Sequence, residues 1–236
     1  MVDGPNARIL RANHLASELI TATELMSLGL NQVADPKWNA RQPGGAFNNL
    51  AQGVERILKL TFWLAEQRSG RAVSATFGAG GAGHALFALH SDVMALLSAD
   101  SAEASSYMNG LLSETTNDSF WVDALRALDG WAATTGRYRD LDALRGKEAH
   151  GDPPWAAWEE AEYRAVSEAD GWGKDTDVIR AEGRKQMLLS IMSWWHTIYR
   201  SWQNGLAGED GESFSSGLNP RNLHLDRQIA DLVQGR

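Results

Sequence analysis

Apolar residues recur along this chain every three or four positions and almost nowhere in strict alternation, a pattern that predicts helices and no sheet. The first predicted helix covers Ala7 to Leu30, with Leu15, Leu19, Ala22 and Met26 on one face. The second covers Phe47 to Gln67. Its stripe is Leu50, Val54, Ile57, Leu58, Thr61, Phe62 and Ala65, with Glu55 and Lys59 four apart in the favourable order. A third runs from His84 to Ser98, and a fourth from Ser119 to Thr134 aligns Trp121, Leu125, Leu128 and Trp131. After an irregular stretch from Gly136 to Gly151, Asp152-Pro153-Pro154 opens a helix reaching Ala169, because proline is tolerated where the first N–H groups have no helical partner. The longest candidate spans Thr176 to Gln203. There Leu188, Ile191, Trp195, Ile198 and Trp202 make a narrow seam of the kind that packs helix against helix.

The fold class that follows is all-α, an irregular bundle of about six or seven helices. Residues 1–204 read as a single helical domain, 205–217 as a flexible acidic linker, and 218–236 as carrying a short C-terminal helix from Asn219 to Val233. No segment has the length and apolarity of a signal peptide or a membrane span, so a cytoplasmic protein is expected.

Composition narrows the chemistry. The 236 residues include no cysteine, which removes disulfides, thiolate nucleophiles and cysteine-ligated metals. A net charge of −8 argues against a broad nucleic-acid surface. Acidic residues concentrate between Asp152 and Asp177, which reads as a solvated face. The 10 tryptophans fall mostly at helical spacing, so core is their first reading, although adjacent Trp194 and Trp195 cannot both face one seam. Tryptophans left over, such as Trp38 and Trp172, suit interfaces.

Two motifs invite a site. Phe77-Gly78-Ala79-Gly80-Gly81-Ala82-Gly83-His84 contains G-x-G-x-x-G before a helix, but no alternating strands carry it, so a dinucleotide fold is not expected. The helix start could still hold an anion, with Gly80, Gly81, Gly83 and His84 as ligand residues. The six histidines are dispersed without metal-ligand spacing, so no metal and no cofactor is expected.

Three stretches resemble HEPN-type helical domains over residues 45–145. Gly53-Val54-Glu55-Arg56-Ile57-Leu58-Lys59 resembles the G-φ-E-R-φ-φ-K pattern of their long helix, φ being apolar. Gly83-His84-Ala85-Leu86-Phe87-Ala88-Leu89 resembles the G-H-x-L-x-x-L opening of a later one, and Arg137-Tyr138-Arg139-Asp140-Leu141-Asp142 the R-Y-x-x-L-D segment of bacterial relatives. Active HEPN proteins are metal-independent endoribonucleases with an R-x(4–6)-H motif meeting its copy across a dimer. The resemblance implies Arg145 and His150 as that pair, arginine holding the phosphate and histidine moving the proton. Arg8 and His14 fit the same spacing, so spacing alone does not choose. Other HEPN-like proteins are inactive and serve as dimerisation or binding modules. Three functions therefore stand: a homodimeric helical interaction module with a possible protein partner, a ribonuclease using Arg145 and His150, and an anion or nucleotide binder at the Gly78–Gly83 loop. The acidic balance disfavours RNA and nucleotides.

Overall fold

The computed structural model describes residues 5–35, 37–70, 85–99, 105–132, 139–146, 152–167 and 176–220. Among them there are helices and no strand. In chain order these are α1 (Pro5–Ala34), α2 (Gly44–Arg68), α3 (Leu86–Ala99), α4 (Ser106–Asn117), α5 (Ser119–Ala132), α6 (Arg139–Leu144), α7 (Ala156–Ser167), α8 (Thr176–Gln203) and α9 (Gly208–Phe214), followed by a 3-10 turn, Ser215–Leu218. The fold is all-α, an irregular bundle as the periodicity predicts.

α1 and α2 form a hairpin. Glycine permits their close approach: a Cβ on Gly53 would lie 2.7 Å from Met26 Cγ and 3.0 Å from the Met26 backbone nitrogen. The connection between them is held by α8. Arg184 donates to the carbonyls of Asp35 (2.9 Å) and Trp38 (3.0 Å), and its guanidinium lies over the Trp38 ring. Trp38, Phe47 and Trp158 then pack ring against ring at 5.2–5.8 Å, half-burying a loop tryptophan that sequence offered to an interface.

α8 packs against α1, α4, α5, α7 and α9. Trp194, Trp195 and Trp202 are all fully buried, because both sides of this helix meet protein and each of the adjacent indoles finds its own wall. Trp194 stacks on Trp121 of α5 at 4.4 Å and 13°. Trp202 donates to Thr61 Oγ1 of α2 at 2.9 Å. Where α8 crosses α7, a Cβ on Gly183 would stand 2.4 Å from Glu162 Cα, so only glycine fits that crossing.

Three expectations are revised. The stretch 205–217 is not a flexible linker: it holds α9 and most of the 3-10 turn. Gly205 and Gly208 at φ +74° and +78° supply the reversals that lay it back on the bundle. A Cβ on Gly211 would touch Ala207 and Leu64, and one on Gly217 would meet Leu19 of α1. Second, α4 occupies a stretch that gave no helix signal, since only Met108, Leu112 and Thr115 face inward from a polar segment. Its start is fixed by Ser105, whose hydroxyl accepts from the Met108 N–H. Third, the acidic segment is not wholly solvated. Glu159 pairs with Arg41 at 2.7 Å, and Glu162 is buried, accepting from Trp158 Nε1 at 2.9 Å. Burial pushes the Glu162 carboxyl above its ordinary range, while that bond, Arg184 and Arg180 pull it back in part. The helix predicted from Asn219 to Val233 lies mainly outside the described residues.

Candidate interaction surface

The motif residues are scattered. Arg145 is exposed in the turn after α6, its N–H donating to the Asp142 carbonyl at 3.0 Å. His150 lies outside the described residues, as do Gly80, Gly81, Gly83 and His84. The helix start that would receive an anion beside the glycine loop is already served by a carboxylate. Asp129 Oδ1, reaching over from α5, accepts from the N–H groups of Leu86 (2.6 Å) and Phe87 (3.3 Å). Those are orphan donors of α3's first turn, and an anion arriving there meets a negative charge.

Arg8 and His14 share α1, but six residues turn a helix by about 240°. Arg8 lines a polar cleft with Arg68 and Asp210, whereas His14 lines a different groove, so the pair does not converge. His90 is buried on α3 and accepts from Trp121 Nε1 at 3.0 Å. Burial lowers its pKa to about 4, which keeps the imidazole neutral and in its acceptor form. It is part of the core. Among the described residues no group of three or more His, Asp or Glu is placed to hold a metal ion, and no helix is long and apolar enough to cross a membrane.

What the described residues do form is a surface on the α1–α2 hairpin. A groove of about 770 Å³ runs between the two helices, with Leu10, Leu15, Leu60 and Trp63 as its apolar lining. That volume lies within the range of ligand and peptide sites. Its rim carries ion pairs: Arg56 bonds Glu18 across the hairpin, and Lys59 bonds Glu55 at 2.6 Å along α2. The Gly53–Lys59 motif therefore builds this hairpin, its glycine allowing the approach, its Val54, Ile57 and Leu58 filling the core, and its charges edging the groove.

α1 leaves four large apolar side chains more than half exposed: Leu10 58% at the groove, Leu28 53% on the same side of the helix, and Ile9 61% and Ile20 57% on the side away from it. The sequence pattern did not single out this surface, yet it held the signal. Ile9, Leu10, Ile20 and Leu28 fall off the Leu15–Met26 stripe, and Leu60 and Trp63 fall off the α2 stripe. Apolar residues left over after the core face is assigned mark the second face.

No family model matches the chain, and no curated protein or solved structure matches it either.

Proposed function

We propose that this protein is a helical assembly module that acts as a homodimer, joined through the outward surface of the α1–α2 hairpin. The observation that carries the proposal is the apolar groove with Leu10 exposed at its edge, together with the exposure of Leu28, Ile9 and Ile20 elsewhere along the same helix. Scattered exposed apolar residues are ordinary on soluble proteins, whereas an apolar groove between two helices, with an exposed leucine at its edge, is the kind of surface that partners cover. Closed two-fold pairing is the commonest arrangement of like chains. The partial resemblance to HEPN domains, many of which serve as dimerisation modules, is in keeping with it. The net charge of −8 does not favour RNA as the occupant.

Sedimentation equilibrium tests the proposal. The expected mass at tens of micromolar is twice the protomer's 25.8 kDa. A protomer mass persisting to hundreds of micromolar overturns it.

A further inference from the structure

The side of α1 turned away from the groove carries a second, uncharged surface. Ile9, Asn13, Ala16, Ile20, Thr23 and Ser27 follow alternating spacings of four and three, so they form one outer stripe, about 27 Å long. Its two isoleucines are more than half exposed. Its hydroxyls are already served by their own helix: Thr23 Oγ1 donates to the Leu19 carbonyl at 3.0 Å and Ser27 Oγ to the Thr23 carbonyl at 2.8 Å. A surface whose hydroxyl donors are satisfied internally can be dried without orphaning them. Two helix surfaces about 11 Å wide meeting along such a stripe cover about 600 Å² in total, half of what the smallest specific interfaces between separate chains bury. A segment tethered beside it needs less, because tethering by a short linker supplies an effective concentration in the millimolar range.

The described chain ends beside this stripe. The 3-10 turn packs against α1, where a Cβ on Gly217 would lie 2.8 Å from Leu19 Cδ2. Leu218 and Pro220 are buried, so the backbone is fixed against the bundle up to the last described residue. Ala16 and Thr23, three before Leu19 and four after it, are the surface neighbours of Leu19 on its outer side, and both belong to the stripe. Residues 221–236 lie outside the described residues. They reach about 50 Å if extended and about 24 Å if helical, enough for either isoleucine. In the helix that the sequence predicts there, Leu225, Ile229, Leu232 and Val233 share one face, with His224, Arg227 and Asp231 on the other. That face spans about 12 Å, against about 17 Å from Ile9 to Ile20.

We infer that residues 221–236 dock on the outer stripe of α1 in their own chain. Asn219-Pro220 is a turn-forming pair. It sends the segment back towards Ile9, with its apolar face on Ile20, Ala16 and Ile9. The groove side of the hairpin, with Leu10 and Leu28, is left open to a second copy, so the inference neither uses nor needs the homodimer.

The chain has no cysteine, so introduced thiols are the only ones. In the full chain at submicromolar dilution, Gln228→Cys is combined either with Asn13→Cys on the stripe or with Gln52→Cys in the groove. Each pair is treated with a short bis-maleimide. The expected result is linkage within one chain, several-fold faster for the Asn13 pair. Faster linkage to the Gln52 position puts the segment in the groove, equally slow linkage of both leaves it undocked, and linkage between chains gives the stripe to a second copy's segment; each overturns the inference. Ile20→Lys, with the rest of the chain unchanged, is expected to speed tryptic cleavage after Arg227 several-fold. Its melting temperature should stay the same, because a terminal segment opens locally before the bundle does. Cleavage at the parent's rate overturns the inference. Both readouts are made on the dilute protomer, so they are independent of whether chains dimerise at tens of micromolar.

Discussion

α1 and α8 are the two long helices of the bundle, 30 and 28 residues, and both are rich in apolar side chains. α8 is enclosed: its three tryptophans have no exposed surface. α1 lies at the edge, buries Leu15, Leu19, Met26 and Leu30, and still presents Ile9, Leu10, Ile20 and Leu28 outward. Equal apolar content therefore has two meanings. A helix apolar on all sides is either surrounded by its own chain or waiting for another. The number of neighbouring elements decides which, and periodicity along one helix does not contain that number.

Substitutions can break this contrast, and the largest effect is expected in α8. Trp194→Ala removes the ring stacked on Trp121 and opens a cavity, costing about 3–5 kcal/mol. For a chain of this size that lowers the melting temperature by roughly 6–20 °C, readable by calorimetry. Trp194→Phe should cost clearly less than Trp121→Phe. The Trp194 indole N–H finds no acceptor in the structure, whereas that of Trp121 bonds His90.

Next in size is a pH effect on the same wall of the core. The unfolded chain protonates His90 near 6.5, and the folded chain resists until about 4. The folded pKa is depressed, so this stability is present above 6.5 and is lost as pH falls from 6.5 towards 4. The full loss is about 3 kcal/mol. Urea midpoints at pH 7 and pH 4.5 measure it, and His90→Gln, which can keep an acceptor for Trp121, should flatten the difference. A smaller cost, about 1 kcal/mol, is expected for Asp129→Ala, which strips the cap from α3. The smallest belongs to α1: Ile20→Ala should shift the stability of the dilute protomer by no more than about 0.5 kcal/mol. A loss at Ile20 comparable to that at Trp194 would erase the distinction between the two helices.

Much of the bundle was legible beforehand, for reasons these two helices share. The C-terminal end of α8 emerges from the Leu188–Trp202 seam, which stops just before Gly205, and α2 from a stripe that stops before the turn after Arg68. α4 was not legible because its inward residues are three in twelve and Gly110 interrupts them. α9 was obscured by glycines and acids, which are loop-like in composition but here supply the turns and first-turn charges of a short helix. The candidate sites fared differently. Glycine spacing could not reveal that Asp129, more than forty residues away, would occupy the helix start. Arg8 and His14 match a motif in one dimension and diverge in three. The hairpin surface was recoverable only from the apolar residues left unassigned.

The Arg184 clamp also constrains the order in which the molecule can be completed. It joins the last quarter of the chain to the connection between the first two helices. Synthesis runs from the N-terminus, so the hairpin emerges well before the side chain that fixes its turn. Until α8 arrives, α1 and α2 must hold together through the close Gly53–Met26 contact and the Arg56–Glu18 bond, both internal to the first 68 residues. During that interval the apolar face of α1 that will later meet α8 and the 3-10 turn is uncovered as well. Two nascent chains on one message would then present each other with more apolar surface than two finished ones. The rate of elongation between α2 and α8 becomes a determinant of how cleanly the protein assembles.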